Sequence, residues 1–170
     1  MEFPEPTKPS DDRREVLLEY LDYYRWVVRE KVTGLDDFAL RTSRLSSGWT
    51  PLELVKHLVN VERRWMVWGF EGVDLSDPWA DQRDDRWYAA PDERVEDLLD
   101  AFDAGGQRTR EVVMAHDLGD LGAPSDRWDD GRPPPLERVL LHLIQEYARH
   151  AGHLDVVREL ADGQVGEGGG

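Results

Sequence analysis

Leu136-Glu137-Arg138-Val139-Leu140-Leu141-His142-Leu143-Ile144-Gln145-Glu146-Tyr147-Ala148-Arg149-His150-Ala151-Gly152-His153-Leu154-Asp155-Val156-Val157 decides the fold class of this sequence. Leu136, Val139, Leu140, Leu143, Ile144 and Tyr147 recur at alternating steps of three and one, the period of an amphipathic helix and not of a strand. Pro135 suits the start and Gly163 the stop, so the spacing predicts a helix over about 135–161. A second line runs along it. Val139, Leu143, Glu146, His150, His153 and Val157 follow steps of four, three, four, three and four. At about 100° per residue they span a stripe about 80° wide, which puts Glu146, His150 and His153 on the inward-facing side. Burying a carboxylate and two imidazoles is unfavourable unless they are paired, hydrogen-bonded or bound to a metal.

Toward the N-terminus, Thr50-Pro51-Leu52-Glu53 carries a capping box with proline at the first helical position. It opens a predicted helix over 51–70, with Leu54, Leu58, Val61 and Trp65 on the apolar stripe. His57 sits beside that stripe and can point inward. One histidine from one helix and a Glu-x-x-x-His pair from a facing helix is how helix bundles assemble metal sites. Each residue alone has a plainer reading. His57 reads as a satisfied core or cleft histidine. Glu146 and His150 read as an i, i+4 pair. His142, at the stripe's edge, reads as structural, and His116, near a helix end, as a partner of the helix dipole.

Two more helices complete the set. Ser10-Asp11-Asp12 marks a start, and Val16, Leu17, Tyr20, Leu21, Tyr24, Val27 and Val28 carry a helical period to the stop at Gly34, giving a helix over 11–33. Pro91-Asp92-Glu93 opens a helix to about residue 115, with Val95, Leu98, Leu99, Phe102, Val112 and Val113 inward and Gly105-Gly106 marking a kink. Residues 35–49, 71–90 and 117–134 read as connections, and a loop as long as 71–90 is often functional. Four helices, no convincing strand and no internal repeat predict an all-α four-helix bundle with long connecting loops. The expected boundaries are a flexible lead-in over 1–10, one domain over 11–163 and a disordered Gly-rich tail over 164–170.

Composition narrows the function. Lys and Arg number 21 against 36 Asp and Glu, a net charge of −15, which argues against nucleic-acid and anionic-membrane partners. No run approaches the 18 or so apolar residues of a membrane span, and Met1 to Ser10 has no signal-peptide core, so a cytoplasmic location is expected. The chain has no cysteine. Disulfides, thiolate ligands and a cysteine nucleophile are therefore excluded, and any thiol chemistry must use a thiol that a substrate brings. The Trp-rich segments point to exposed apolar surface and a homodimer.

Thr50-Pro51-Leu52-Glu53-Leu54-Val55-Lys56-His57-Leu58, followed by Val61-Glu62-Arg63-Arg64-Trp65, resembles the second helix of the DinB-like family. Leu140 to Asp155, closing on Arg158-Glu159-Leu160 and Asp162-Gly163, is similar to its last helix. The nearest subgroup is the actinobacterial one related to mycothiol-dependent transferases, and the resemblance covers roughly 10–163. It implies an up-down-down-up bundle with a divalent metal, zinc or nickel, on three side chains. Many members use three histidines; here position 146 is Glu, so the matching set is His57, Glu146 and His150, with His153 as the rival ligand. That variant resembles the N-terminal domain of mycothiol-dependent maleylpyruvate isomerases. Those enzymes carry a further domain without a counterpart here, so their isomerase activity is not expected.

The resemblance implies a thiol S-transferase, in which a metal-held thiol such as mycothiol attacks a small electrophile. Three protein ligands leave a coordination position open, as in catalytic zinc sites. Because the surface is anionic, binding an acidic cosubstrate would fall to local cations such as Arg149. The alternatives are a metal-dependent hydrolase, a non-haem iron site of two histidines and a carboxylate, and a non-catalytic metal-binding or stress-response bundle.

Overall fold

The computed structural model describes residues 6, 7, 9–128 and 131–166. The expected lead-in over 1–10 and tail over 164–170 lie in part outside them. Among the described residues the chain is mostly helical, and no helix is long and apolar enough to cross a membrane.

Local chemistry sets the helix ends. The carboxylate of Asp12, two residues beyond Ser10, accepts the Arg14 backbone N–H at 2.9 Å and starts α1 (Arg13–Thr33). Thr50 caps α3 (Pro51–Glu62) with the reciprocal pair that the sequence predicts. Glu53 N–H donates to Thr50 Oγ1 at 3.3 Å, and Thr50 N–H donates to Glu53 Oε2 at 2.8 Å. The rod continues through Arg63–Phe70 as a π-helix, a widening that recurs at functional sites. Next, α4 (Val95–Ala115) begins later than Pro91 suggests, because Glu93 serves another purpose. Its carboxylate accepts Ala90 N–H and, at 2.8 Å, Lys56 Nζ, tying this loop to α3. Last, α5 (Leu136–Asp162) stops at Gly163, whose φ of +76° lies in the left-handed region that glycine tolerates best.

Two segments depart from the sequence expectation. A short α2 (Asp37–Arg41) stands inside the predicted 35–49 connection, with Asp36 accepting Ala39 N–H at 2.8 Å. Within the 71–90 loop, β1 (Gln82–Arg83) pairs antiparallel with β2 (Arg86–Trp87). The hairpin turns through Asp84 and Asp85 at φ of 52° and 60°, the positive values that a two-residue turn demands. Strands of two residues are too short to carry a readable alternation.

Helix α1 packs against α4 and α5, and α3 packs against the same two. One apolar cluster unites Leu18, Val28, Leu54, Leu58, Phe102, Val113, Leu140, Leu143 and Tyr147, each almost fully buried. Removing such a side chain from water stabilises the fold by about 1.5–3 kcal/mol. The core line of α1 is Leu18, Leu21, Arg25, Val28 and Val32, whereas Tyr20 is 39% exposed. An apolar pattern cannot reveal that line, because a cation stands at its centre.

Arg25 is buried against Glu62, with Nη1 2.9 Å from Oε2 and Nη2 3.0 Å from Oε1. The hydroxyls of Thr109 and Tyr147 donate to the same carboxylate at 2.6 and 2.8 Å. Gly105-Gly106 makes room for this cluster, and α4 runs through the pair as one continuous helix. A Cβ at Gly105 would stand 2.8 Å from Glu62 Oε2, and one at Gly106 would stand 2.5 Å from Arg25 Nε.

Candidate functional site

The capping box fixes where α3 begins, and the helical period then carries His57 toward α5. The period of α5 brings Glu146 and His150 to the same place. One ligand-type atom from each of His57, Glu146 and His150 lies within 4.8 Å of the others. Among the described residues this is the one group of histidines and carboxylates so arranged. Glu146 Oε2 is 3.8 Å from His57 Nε2 and 3.3 Å from His150 Nε2.

The loop over 71–90 supplies what the sequence reading missed. Asp81, fully buried, places Oδ2 2.9 Å from His57 Nδ1. With that nitrogen donating to the carboxylate, Nε2 is the atom turned toward Glu146, the orientation found in carboxylate–histidine–metal arrangements. Asp81 is itself clamped by Arg64 of the π-helical stretch, Nη1 to Oδ1 at 2.6 Å and Nη2 to Oδ2 at 3.1 Å. Arg64 Nη1 also donates to Pro78 O at 2.9 Å. Trp87, delivered by β2, stacks on His57 with ring centroids 4.2 Å apart and meets His150 edge-on at 5.3 Å. A lone Asp in a polar loop carries no sequence signal, and neither does the ring that closes over the site.

His153 approaches His150 from behind. Its Nδ1 lies 3.2 Å from His150 Nδ1, the ring nitrogen opposite the one that faces Glu146. His142 Nε2 lies 3.5 Å from the other carboxylate oxygen of Glu146, and its ring packs 3.8 Å from that of Trp65. Arg149 is exposed on α5, and its charge reaches His153. His116 follows α4, is exposed, and pairs with Asp120 at 3.2 Å. Of the seven Trp, Trp79 is well exposed at 46%; Trp49, Trp65, Trp87 and Trp128 are partly buried around the site.

Electrostatics single out the point between the three side chains. Hydrogen bonds from His150 and His57 hold the Glu146 carboxyl well below the usual carboxylate range, outweighing burial. Burial disfavours charge on His57, yet hydrogen bonds to Asp81 and Glu146 overcome it and raise its pKa. The His57 shift reflects the negative charge of Asp81 and Glu146, and the Glu146 shift keeps that carboxylate ionised, so an anionic oxygen is held between the two histidine rings. Burial, chiefly, lowers the pKa of His142 and of His153, leaving each neutral. Two imidazole nitrogens and a carboxylate oxygen, converging in a partly buried site, are a donor set suited to a divalent first-row ion.

A family model described as mycothiol-S-transferase matches residues 16–163. No curated protein matches the chain. A solved structure described as "Crystal structure of the conserved protein of locus from Enterococcus faecalis" superposes with a TM-score of 0.66 at 16% identity. The superposition covers 91% of this chain and 100% of that one, a likeness of fold.

Proposed function

The chain belongs to the mycothiol-S-transferase family, and from that premise we propose that it joins a mycothiol-type thiol to a small electrophile, using a divalent ion on His57, Glu146 and His150. The single observation that carries this reading is the convergence of those three ligand atoms within 4.8 Å. We read α1, α3, α4 and α5 as the up-down-down-up four-helix bundle that holds the site, a reading that their mutual packing supports.

A divalent ion, zinc or nickel by the family resemblance, would supply Lewis acidity that lowers the pKa of a thiol placed at the open coordination position. The protein's own residues do the rest. Asp81 accepts from His57 Nδ1 and so presents Nε2 as the ligand atom. Against burial, hydrogen bonds from His57 and then Arg64 keep Asp81 ionised, and Arg64 holds it in place. His153 positions the His150 ring from its far nitrogen, while His142 engages the Glu146 oxygen that does not face His57. Trp87 covers one side of the site and excludes water from His57. Arg149 offers an exposed cation beside His153 for an acidic group of the cosubstrate. With no cysteine in the chain, no protein thiol competes with the incoming one.

The test is thiol-dependent consumption of a bimane or dinitrobenzene electrophile by tag-free protein, before and after chelation. The proposal expects turnover that requires both the thiol and the metal. Consumption that proceeds equally without thiol would make the protein a hydrolase and end the transferase reading.

A further inference from the structure

Beside the candidate metal site lies a second feature, a cleft of about 420 Å³ between the start of α3 and the β1–β2 hairpin. Its walls include Trp49 and Trp87, and its rim includes Ser47, Glu53, Asp85 and Arg86. The two indole rings meet at 5.9 Å, tilted by 56°. Both touch the histidines. Trp87 stacks on His57, and Trp49 lies 5.9 Å from His153. Trp87 thus belongs both to the wall of the cleft and to the stack on His57.

The lining selects a chemistry. Indole faces offer flat apolar surface to the C–H face of a saturated ring. Two carboxylates and a guanidinium beside them supply acceptors and a donor at close quarters. A purely apolar molecule would desolvate those polar groups and give them nothing in return, which is unfavourable. An anionic molecule would meet Glu53 and Asp85 in a protein of net charge −15. A neutral or cationic ring bearing many hydroxyls satisfies both the faces and the rim.

We propose that the cleft bounded by Trp49, Trp87 and Asp85 is the subsite for the polyhydroxylated ring portion of the thiol cosubstrate. It rests on the transferase reading and extends it. The sugar or cyclitol lies on the indoles, its hydroxyls donate to Asp85 and accept from Arg86, and the thiol arm passes the edge of Trp87 toward His57 and His150. The electrophile then enters from another side.

Saturation-transfer NMR with glucosaminyl-inositol, a thiol-free ring probe, tests this without metal or turnover. Transfer to the ring C–H protons is expected with the natural protein, lost in Trp49→Ala and kept in Trp49→Phe. Asp85→Gly keeps the positive φ of the turn while removing the carboxylate, so it tests the rim without strain. It should weaken the probe about three- to tenfold, the net worth of one hydrogen bond. No transfer to the natural protein, or transfer unchanged in Asp85→Gly and in a folded Trp49→Ala protein, overturns the assignment. In turnover assays the KM for the thiol should rise in Trp49→Ala; a rise confined to the electrophile would assign the cleft to the electrophile and overturn the proposal. A protein that binds the probe but never consumes thiol would keep this subsite and sink the transferase reading, so the two fail separately.

Discussion

Asp81 Oδ2 lies 2.9 Å from His57 Nδ1, and this contact determines which nitrogen of His57 faces Glu146. The carboxylate arrives from a loop 24 residues downstream and is fixed there by both Nη atoms of Arg64. Outer partners of metal-bound histidines typically affect metal affinity by about 10–100-fold. Asp81→Asn should therefore weaken the metal by that factor while leaving stoichiometry at saturation unchanged. Competition with a chromogenic chelator measures it; an unchanged affinity would reduce Asp81 to a structural ion-pair partner of Arg64.

The buried Arg25–Glu62 pair makes a separate prediction about stability. Removing one partner of a buried ion pair costs about 3–5 kcal/mol, so Glu62→Ala should lower the urea midpoint sharply. Gly105→Ala is the finer probe. Helix propensity alone would favour alanine by about 1 kcal/mol. The new Cβ would stand 2.8 Å from Glu62 Oε2, and overpacking of that kind costs about 1–3 kcal/mol. Net destabilisation is expected. A stabilised Gly105→Ala protein would show that the glycine is not there to accommodate the ion pair.

Acid should strip the site. Burial opposes charge on His57, but its hydrogen bonds to Asp81 and Glu146 prevail and raise its pKa in the metal-free protein. An incoming ion must displace that proton. Affinity is then complete above the raised pKa and falls as pH drops through it, by about tenfold per unit for one proton. Glu146 stays ionised over this range, because hydrogen bonds from His150 and then His57 hold its pKa down. Calorimetry in two buffers of different ionisation enthalpy should register proton release near neutral pH. Binding with no proton release would contradict the shift.

His153 and Glu146 should behave oppositely. His153→Ala removes a partner of His150 Nδ1, so metal should remain with at most a moderate loss of affinity. Glu146→Ala should release it. In a metal-bound structure the Glu146 oxygen should lie about 2.0–2.2 Å from zinc. A His153 nitrogen in that place instead would overturn the ligand set while leaving a metal site.

The helices and the inward-facing line of Glu146, His150 and His153 were legible because they depend on period. The capping box at Thr50 and Glu53 is a local reciprocal contact, so four residues reveal it. Period set His57 beside one apolar stripe and Glu146, His150 and His153 on another, and the family resemblance, not the period, singled out Glu146 over His153. Asp81, Arg64 and Trp87 were not legible. Asp81 and Trp87 reach the site through an aperiodic loop and a two-residue-stranded hairpin, and Arg64, on the π-helical stretch, is explained only by its long-range partner Asp81. Arg25 was hidden for the opposite reason: it occupies a core position where the pattern expects an apolar residue, and only Glu62 on another helix explains it. Gly105-Gly106 reads as a kink until that ion pair is seen behind it.

Metal content of protein purified without a histidine tag or added metal tests the central claim most directly. Elemental analysis should find about one divalent ion per chain in the natural protein, as one three-ligand site implies. His57→Ala, Glu146→Ala and His150→Ala should each lose it, and His142→Ala should keep it. A natural protein without bound metal that also fails to take up zinc or nickel, or a His57→Ala protein at full occupancy, would contradict the account.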